Sequence, residues 1–317
     1  MKLVRESINF ERGKDPKSSL GIGRRFFIDK WFKIWAPNVK YEIDDNLNIT
    51  VKDNLLLNNT KVKELPDNLT VEGYLYLYNT PIKKLPKGLI VKGFLYLEYS
   101  SIKELPDDII VGKSIYLEGS KIEKLPDNLK IDGVLDLSDT SIKELPNNLK
   151  VGGYLDLSNT PIEELPRNLK IGGDLYLRES HIRKLPNNLV IKNSLNLNNT
   201  LIEKLPKGLV IKGDLYLEET PIREFPDDIS VGRSIYLKNS KIEKLPDNLE
   251  VVEDLDLRGT PIKKLPDNLK VGGDLHLDNT SIKELPKNLI VKGDLYIKGT
   301  NIEEIPKSVK VYGEIIR

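Results

Sequence analysis

The chain has 317 residues and not one of them is cysteine; it has a single methionine and two histidines. Without cysteine there is no structural disulfide, and zinc, iron–sulfur or thiol chemistry built on cysteine is excluded. Long apolar runs are missing too: none approaches the ~18 residues needed to span a bilayer. The opening "MKLVRESINFERGKDPK" has no apolar core and is not a secretory signal. The expected location is therefore cytoplasmic, with the Asn-x-Ser/Thr triplets at Asn48, Asn58, Asn68 and Asn198 unmodified. Net charge is +1, but residues 1–40 carry ten Lys/Arg against four Asp/Glu, a net of +6, which leaves the rest near −5. The body of the chain has no long basic stripe, so nucleic acid is not indicated as a partner.

What is present is a repeat. "LPDNL" at 65–69 returns as "LPKGL" at 85, "LPDDI" at 105 and "LPDNL" at 125, and the period of 20 holds without insertion from residue 54 onward. The unit reads V-x-G-x-L-x-L-x-x-T-x-I-x-x-L-P-x-x-L-x, with thirteen prolines in one column (Pro66 to Pro306) and Ser or Thr in another (Thr60 to Thr300). "L-x-L", as in Leu75 and Leu77, predicts a short strand with its leucines inward, paired in parallel with the same strand of the next coil. The Ile column (Ile82 to Ile302) and the Leu before each Pro extend the core. Proline cannot donate to a ladder, so the L-P step predicts a bend. The glycines at Gly73, Gly93 and Gly153 suit a tight corner, although Lys113, Asn193, Arg233 and Glu253 share that column. The Ser/Thr hydroxyls are expected to form a ladder of side-chain to backbone hydrogen bonds running along the array.

This pattern resembles the leucine-rich-repeat family, in its short 20-residue class: L-x-L-x-x-N-x-L appears as L-x-L-x-x-T-x-I, as in "LDLSNTPI" (155–162). The resemblance covers residues 41–317. It implies a mainly β, right-handed repeat solenoid of about thirteen coils, with parallel strands on one face. "LPxxLxV" stands where the family usually has a helix, so the convex side is expected to be extended or turn-like. Residues 81–130 and 201–250 agree at 35 of 50 positions, consistent with duplication of a six-repeat block. The opening "ESINFERGKDPKSSLGIG" (6–23), followed by "KWFKIW" and "YEIDDNLNITV", resembles leaders of uncharacterised leucine-rich-repeat proteins of tailed bacteriophages. That likeness implies life in an infected host's cytoplasm or in a virion, and brings no activity with it.

Residues 1–40 read as a basic leader with an amphipathic helix. In "RRFFIDKWFKIWAP" (24–37), Phe27, Ile28, Trp31, Phe32, Ile34 and Trp35 share one broad helical face and Pro37 stops the helix. Three roles are open for 24–35: a cap over the first coil, a membrane-surface helix, and a partner-docking helix. Residues 43–49, "IDDNLNI", echo 65–71 but lie two residues out of frame. Gly21-Ile22-Gly23 follows no strand and lacks a third glycine, so it is not a nucleotide loop.

Catalytic chemistry finds little purchase. His276, with Asp274 and Asp278 two residues away, has no nucleophile or oxyanion device beside it and reads as a surface histidine; His181 lies in a turn column. Asp136 with Asp156, and Asp254 with Asp256 and Asp274, lack metal-ligand spacing and read as a polar strand face. No catalytic residue, metal or cofactor is assigned.

Tyrosine is different. Seven of thirteen tyrosines sit between the two leucines, on the outward side of the strand: Tyr76, Tyr96, Tyr116, Tyr176, Tyr216, Tyr236 and Tyr296. Tyrosine is a good strand former and stacks well in parallel ladders, which is one account of the column. Yet Tyr74, Tyr76, Tyr78, Phe94, Tyr96, Tyr99 and Tyr116 gather on the first coils, and exposed aromatic clusters mark interaction surfaces. These seven, with Tyr176, Tyr216 and Tyr236, are the candidate partner-binding residues. The expected function is a non-enzymatic scaffold that binds a protein partner on this face; the alternative is a structural spacer or virion component. Membrane contact is expected only through 24–35. The final "VYGEIIR" places Glu314 and Arg317 as charged gatekeepers at a strand edge, which predicts a monomer.

Overall fold

The computed structural model describes residues 19–317. Residues 1–18, which hold most of the leader-like stretch 6–23, lie outside the described residues. The chain divides into two compact units, Met1–Asp136 and Leu137–Arg317.

In the first unit, helix α1 (Ser19–Trp35) precedes the repeats. It begins five residues before the basic amphipathic stretch, and Gly21 and Gly23 lie within it. Ile28, Trp31 and Phe32 are buried, and Trp31 Nε1 donates to the Glu64 carbonyl at 3.0 Å. Phe32 stacks on Tyr41 at 3.9 Å between ring centroids. Arg24 reaches Asp67 at 3.2 Å. The broad apolar face expected over 27–35 is narrower than the spacing predicts. Phe27 and Ile34 point to solvent, and Ile34 is 56% exposed. The inner stripe is Ile28, Trp31 and Phe32, at the 3–4-residue helical spacing that keeps one face against the coil, with Trp35 half-buried one turn further on.

The out-of-frame stretch 43–49 is a hairpin. Strand β1 (Tyr41–Ile43) pairs antiparallel with β2 (Ile49–Val51), in the register Tyr41↔Val51 and Ile43↔Ile49. Asp44 closes the turn by accepting the backbone N–H of Asn46 and Asn48. Those bonds, led by one from the Asn48 side chain, hold its carboxyl below the usual range. One edge of β2 is thus covered by β1, while the other receives Leu69–Val71 in parallel. An edge that would offer unpaired backbone groups is covered.

From there each coil repeats two short extended segments. The front segments are the "L-x" steps. In the first unit they run from Leu55–Leu56 to Leu135–Asp136, in the second from Leu155–Asp156 to Ile315–Ile316. Each pairs in parallel with its counterpart 20 residues away: Leu55↔Leu75, Leu75↔Leu95, Leu155↔Leu175, Leu275↔Leu295. The rear segments replace the helix. In the first unit Leu69–Val71, Ile90–Val91 and Ile110–Val111 pair in parallel after β2. In the second unit rear pairing comes in three groups, beginning at Lys150, Val190 and Glu250. The convex side is therefore extended, as the absence of helical periodicity implies, and the protein is a parallel-strand solenoid of about thirteen turns. Leu75, Leu77, Ile82, Leu89 and Val91, with their equivalents, fill the space between front and rear. Many of the prolines open a turn through their carbonyl, as in Leu129 N–H to Pro126 at 3.2 Å.

The glycines at Gly73 and Gly93 do not adopt the left-handed backbone that a corner was expected to need. They answer to clearance: a Cβ on Gly93 would meet the Gly73 carbonyl oxygen at 2.6 Å and the Tyr74 ring at 2.3 Å. A left-handed residue stands instead just before each Ser/Thr. Asn59, Asn79, Tyr99, Gly119, Asp139 and the corresponding residues through Gly299 all have φ between 51° and 72°.

The Ser/Thr column is buried but is not a ladder between coils. Each threonine donates its hydroxyl to the carbonyl three residues back in its own coil, as Thr160 does to Leu157 at 2.6 Å. The left-handed residue folds the chain back so that this carbonyl lies within reach. Ser180 makes the same bond to Leu177, whereas the hydroxyls of Ser100, Ser120 and Ser240 are buried without a partner. Serine lacks the methyl that holds the threonine rotamer.

Two outcomes test this account. Thr160→Val should cost about 1–2 kcal/mol in urea unfolding, because the Leu157 carbonyl loses its hydroxyl donor, while Ser120→Ala should be neutral or slightly stabilising. Equal losses in both would show that the column is held by shape alone. Trp31→Ala removes an anchor of α1 and should cost about 3 kcal/mol locally. Hydrogen exchange at the Leu55 and Leu57 amides should accelerate, and unchanged protection there would mean that the helix does not stabilise the first coils.

Candidate interaction surface

On the front face three outward columns run beside one another. The first holds Asn54, Tyr74, Phe94, Ser114 and Val134 in the first unit, then Tyr154, Asp174, Ser194, Asp214, Ser234, Asp254, Asp274, Asp294 and Glu314 in the second. In the second unit this column is a hydrogen-bonded ladder between coils. The Ser194 N–H donates to Asp174 Oδ1 at 2.9 Å, Asp214 N–H to Ser194 Oγ at 3.1 Å, and Asp294 N–H to Asp274 Oδ1 at 2.7 Å. Short oxygen-bearing side chains are what such a rung requires. The first unit keeps rungs from Asn54 to Tyr74 N–H and from Ser114 to Val134 N–H. At Tyr74 and Phe94 it has rings where the rung would need a short acceptor.

The second column carries the tyrosines. Tyr76, Tyr96 and Tyr116 stack face to face, with centroids 4.4 Å and 5.0 Å apart and planes within 7°. Tyr74 and Phe94 pack beside them at 4.8 Å. The stack is half-buried. Burial, with the neighbouring Tyr76 and Tyr116, pushes the Tyr96 phenol up to about 12, so it remains a neutral donor. In the second unit Tyr216 and Tyr236 stack at 4.9 Å, and Tyr216 donates to Asp214. Tyr176 meets Tyr154 edge-on at 5.7 Å. The ten candidate residues therefore fall into two sets. Seven form one patch in the first unit, and Tyr176, Tyr216 and Tyr236 belong to the second.

Tyr78 and Tyr99 stand most clear of the surface, at 40% and 50% exposed, and meet edge-on at 5.6 Å. Tyr99 occupies a left-handed position, φ 54°, where ten of the thirteen coils use Asn, Asp or Gly. That backbone costs an L-residue with a bulky side chain about 1–2 kcal/mol. The next coil answers with Gly119, whose added Cβ would lie 2.5 Å from the Tyr99 ring. The Tyr99 hydroxyl donates to Glu118 at 2.6 Å. No periodic signal marks Tyr99; its place before Ser100 in the Asn/Gly column was the available clue.

No family model matches this chain, and no curated protein does. Solved structures do. YopM, a leucine-rich effector protein from Yersinia pestis, superposes with a TM-score of 0.51 over 98% of this chain and 96% of its own, at 18% identity. The fold is that of the leucine-rich repeats. A leucine-rich-repeat protein of Leptospira interrogans aligns over 80% of this chain and 79% of its own, at 21% identity and a TM-score of 0.47. In this chain Ser or Thr takes the position where leucine-rich repeats usually have asparagine, and the threonine hydroxyls work within the coil.

The third outward column holds Tyr78, Glu98 and Glu118 in the first unit. One carboxylate oxygen of Glu98 is buried without a partner. Burial, together with the charges of Asp136 and Glu118, pushes the Glu98 carboxyl up to about 6. His276, the one residue with a catalytic look, stacks on Tyr296 at 4.2 Å, with Nδ1 4.0 Å from Asp278. Among the described residues no group of His, Asp and Glu is arranged to hold a metal ion.

Glu98 makes stability depend on pH in a definite direction. Its folded value lies above the ordinary one, so the folded state holds the proton more tightly. Stability is full below the unfolded value and falls as pH rises through about 6. Glu98→Gln should therefore stabilise the protein above about pH 7 by roughly 1 kcal/mol, after discounting for partial exposure, and have no effect below about pH 4. A pH-independent effect would mean that Glu98 is not strained by its charge.

Proposed function

We propose that the protein is a non-enzymatic interaction scaffold whose aromatic front face, in the first unit, binds a protein partner. The observation that carries this reading is the exchange made there. Tyr74 and Phe94 occupy positions where the second unit, from Asp174 onward, keeps acceptors for an inter-coil ladder, and Tyr99 occupies a left-handed position. A solenoid built only for length gains nothing from either choice, because Asp, Ser and Asn serve the fold better at those places. Residues held against local preference are found most often where a surface does work.

The spacer reading draws support from the second unit. There Tyr216 and Tyr236 stack while the ladder beside them is intact, as β-ladder stabilisation alone would require. The two readings part at Tyr78 and Tyr99, whose exposed rings contribute little to a core.

The test compares two double variants. Tyr78→Ser with Tyr99→Asn should unfold within about 0.5 kcal/mol of the parent, since relief of the left-handed strain offsets lost ring contacts. It should nonetheless lose the proteins that the parent retains in affinity capture, because aromatic anchors dominate interfaces. Tyr216→Ser with Tyr236→Ser should keep them. Equal retention by the first variant and the parent would leave the spacer reading in place.

A further inference from the structure

The front face of the second unit supplies its own cations. Its third outward column contains Arg178, Lys238, Arg258 and Lys298. Arg258 neutralises a buried carboxylate. Asp256 lies in the tyrosine column, paired in register with Tyr236 on one side and His276 on the other, and is 1% exposed. Arg258 grips it with two prongs: Nε is 2.9 Å from both carboxylate oxygens, and Nη2 bonds Oδ2. A carboxylate among stacked rings is thus neutralised by a guanidinium lying along the strand.

The first unit has the same elements without the cation. Its three outward columns contain Glu98, Glu118 and Asp136 and no lysine or arginine, from Asn54 through Asp136. Glu98 keeps a buried carboxylate oxygen with no partner beside the Tyr96 ring, whose own ionisation its charge opposes. At the margin a cation already rests on this aromatic surface: Lys113 Nζ lies 5.4 Å from the Phe94 centroid. A ring face and a desolvated carboxylate together favour a guanidinium or ammonium far more than a neutral or anionic group.

We propose that the partner lays an arginine or lysine side chain on the Tyr76–Tyr96–Tyr116 stack, with its cation seated against Glu98, a pair across the same two columns that Arg258 and Asp256 join with the charges exchanged. This rests on the reading of the front face as the binding face, and deepens it by naming the chemistry recognised. The geometry favours arginine, whose planar head stacks on a ring while its edge donates to a carboxylate. The complementarity also excludes acidic partners, because three carboxylates and no fixed cation repel them.

The experiment uses the full chain and defined probes. The peptide acetyl-Gly-Gly-Arg-Gly-Gly-amide and its citrulline counterpart, equal in shape but uncharged, are titrated while the tyrosine ring signals are followed by NMR. The arginine peptide should bind about ten-fold more tightly than the citrulline peptide. The preference should vanish in Glu98→Gln and weaken from about pH 7.5 to about pH 5 as Glu98 takes up its proton. Glu218→Gln, the same change in the second unit, should leave it intact. Equal binding of the two peptides, or no binding of either at millimolar concentration, overturns the proposal. If the Tyr78/Tyr99 variant still loses its captured proteins in that event, the front face remains a binding face of another specificity. If that variant retains them, the reading of the face itself fails.

Discussion

Every residue of the repeat sits beside its own counterpart. Parallel pairing in a register of 20 puts Leu75 on Leu95 and Tyr76 on Tyr96, about 4.8 Å apart, and it repeats this for every column. A side chain is therefore judged by whether it tolerates a stack of its own kind. Leucine and isoleucine do, and they make a continuous core. Tyrosine does, because its rings can lie parallel. Carboxylates do where an oxygen is given a donor, as the Asp254–Asp274–Asp294 rungs are given backbone N–H groups. Glycine appears where the coil below comes too near for a Cβ. This one constraint sets the core, the ladder and the aromatic surface.

The strand and core columns were legible because they are apolar and strictly periodic, so Leu75, Leu77 and Ile82 could be placed inward from spacing alone. Proline at Pro66 to Pro306 marked the bend for a chemical reason that needs no neighbour. Three other features depend on what the adjacent coil presents, and spacing does not carry that. Gly93 reads as a corner in isolation, but its reason is the Gly73 carbonyl and the Tyr74 ring. The Thr160 hydroxyl reads as a rung between coils, but the left-handed Asn159 turns it onto its own Leu157 carbonyl. Asp254 and Asp274 read as part of a polar, solvated strand face, while their side chains bond the backbone of the next coil.

The aromatic patch was visible as composition, but its meaning was not. Counting tyrosines cannot separate a stabilising stack from a binding face, since Tyr76, Tyr96 and Tyr116 serve both. What separates them is the cost at particular positions. Tyr99 sits where asparagine, aspartate or glycine is used in ten other coils, and Phe94 sits where a ladder acceptor belongs. These substitutions lose local stability and gain apolar area at the surface.

The two units thus solve one problem in different ways. The second places carboxylates and cations on its front face and satisfies them internally, as Asp256 and Arg258 do. The first places rings and carboxylates together and leaves the cation out, so Glu98 holds an unpartnered oxygen against its own desolvation. A buried charge without a partner is destabilising, and the repeat can supply a cation to such a charge, as Arg258 does for Asp256. At Glu98, where the aromatic residues gather, no such cation is supplied, which ties the missing cation to the proposed role of the surface rather than to the architecture of the repeat.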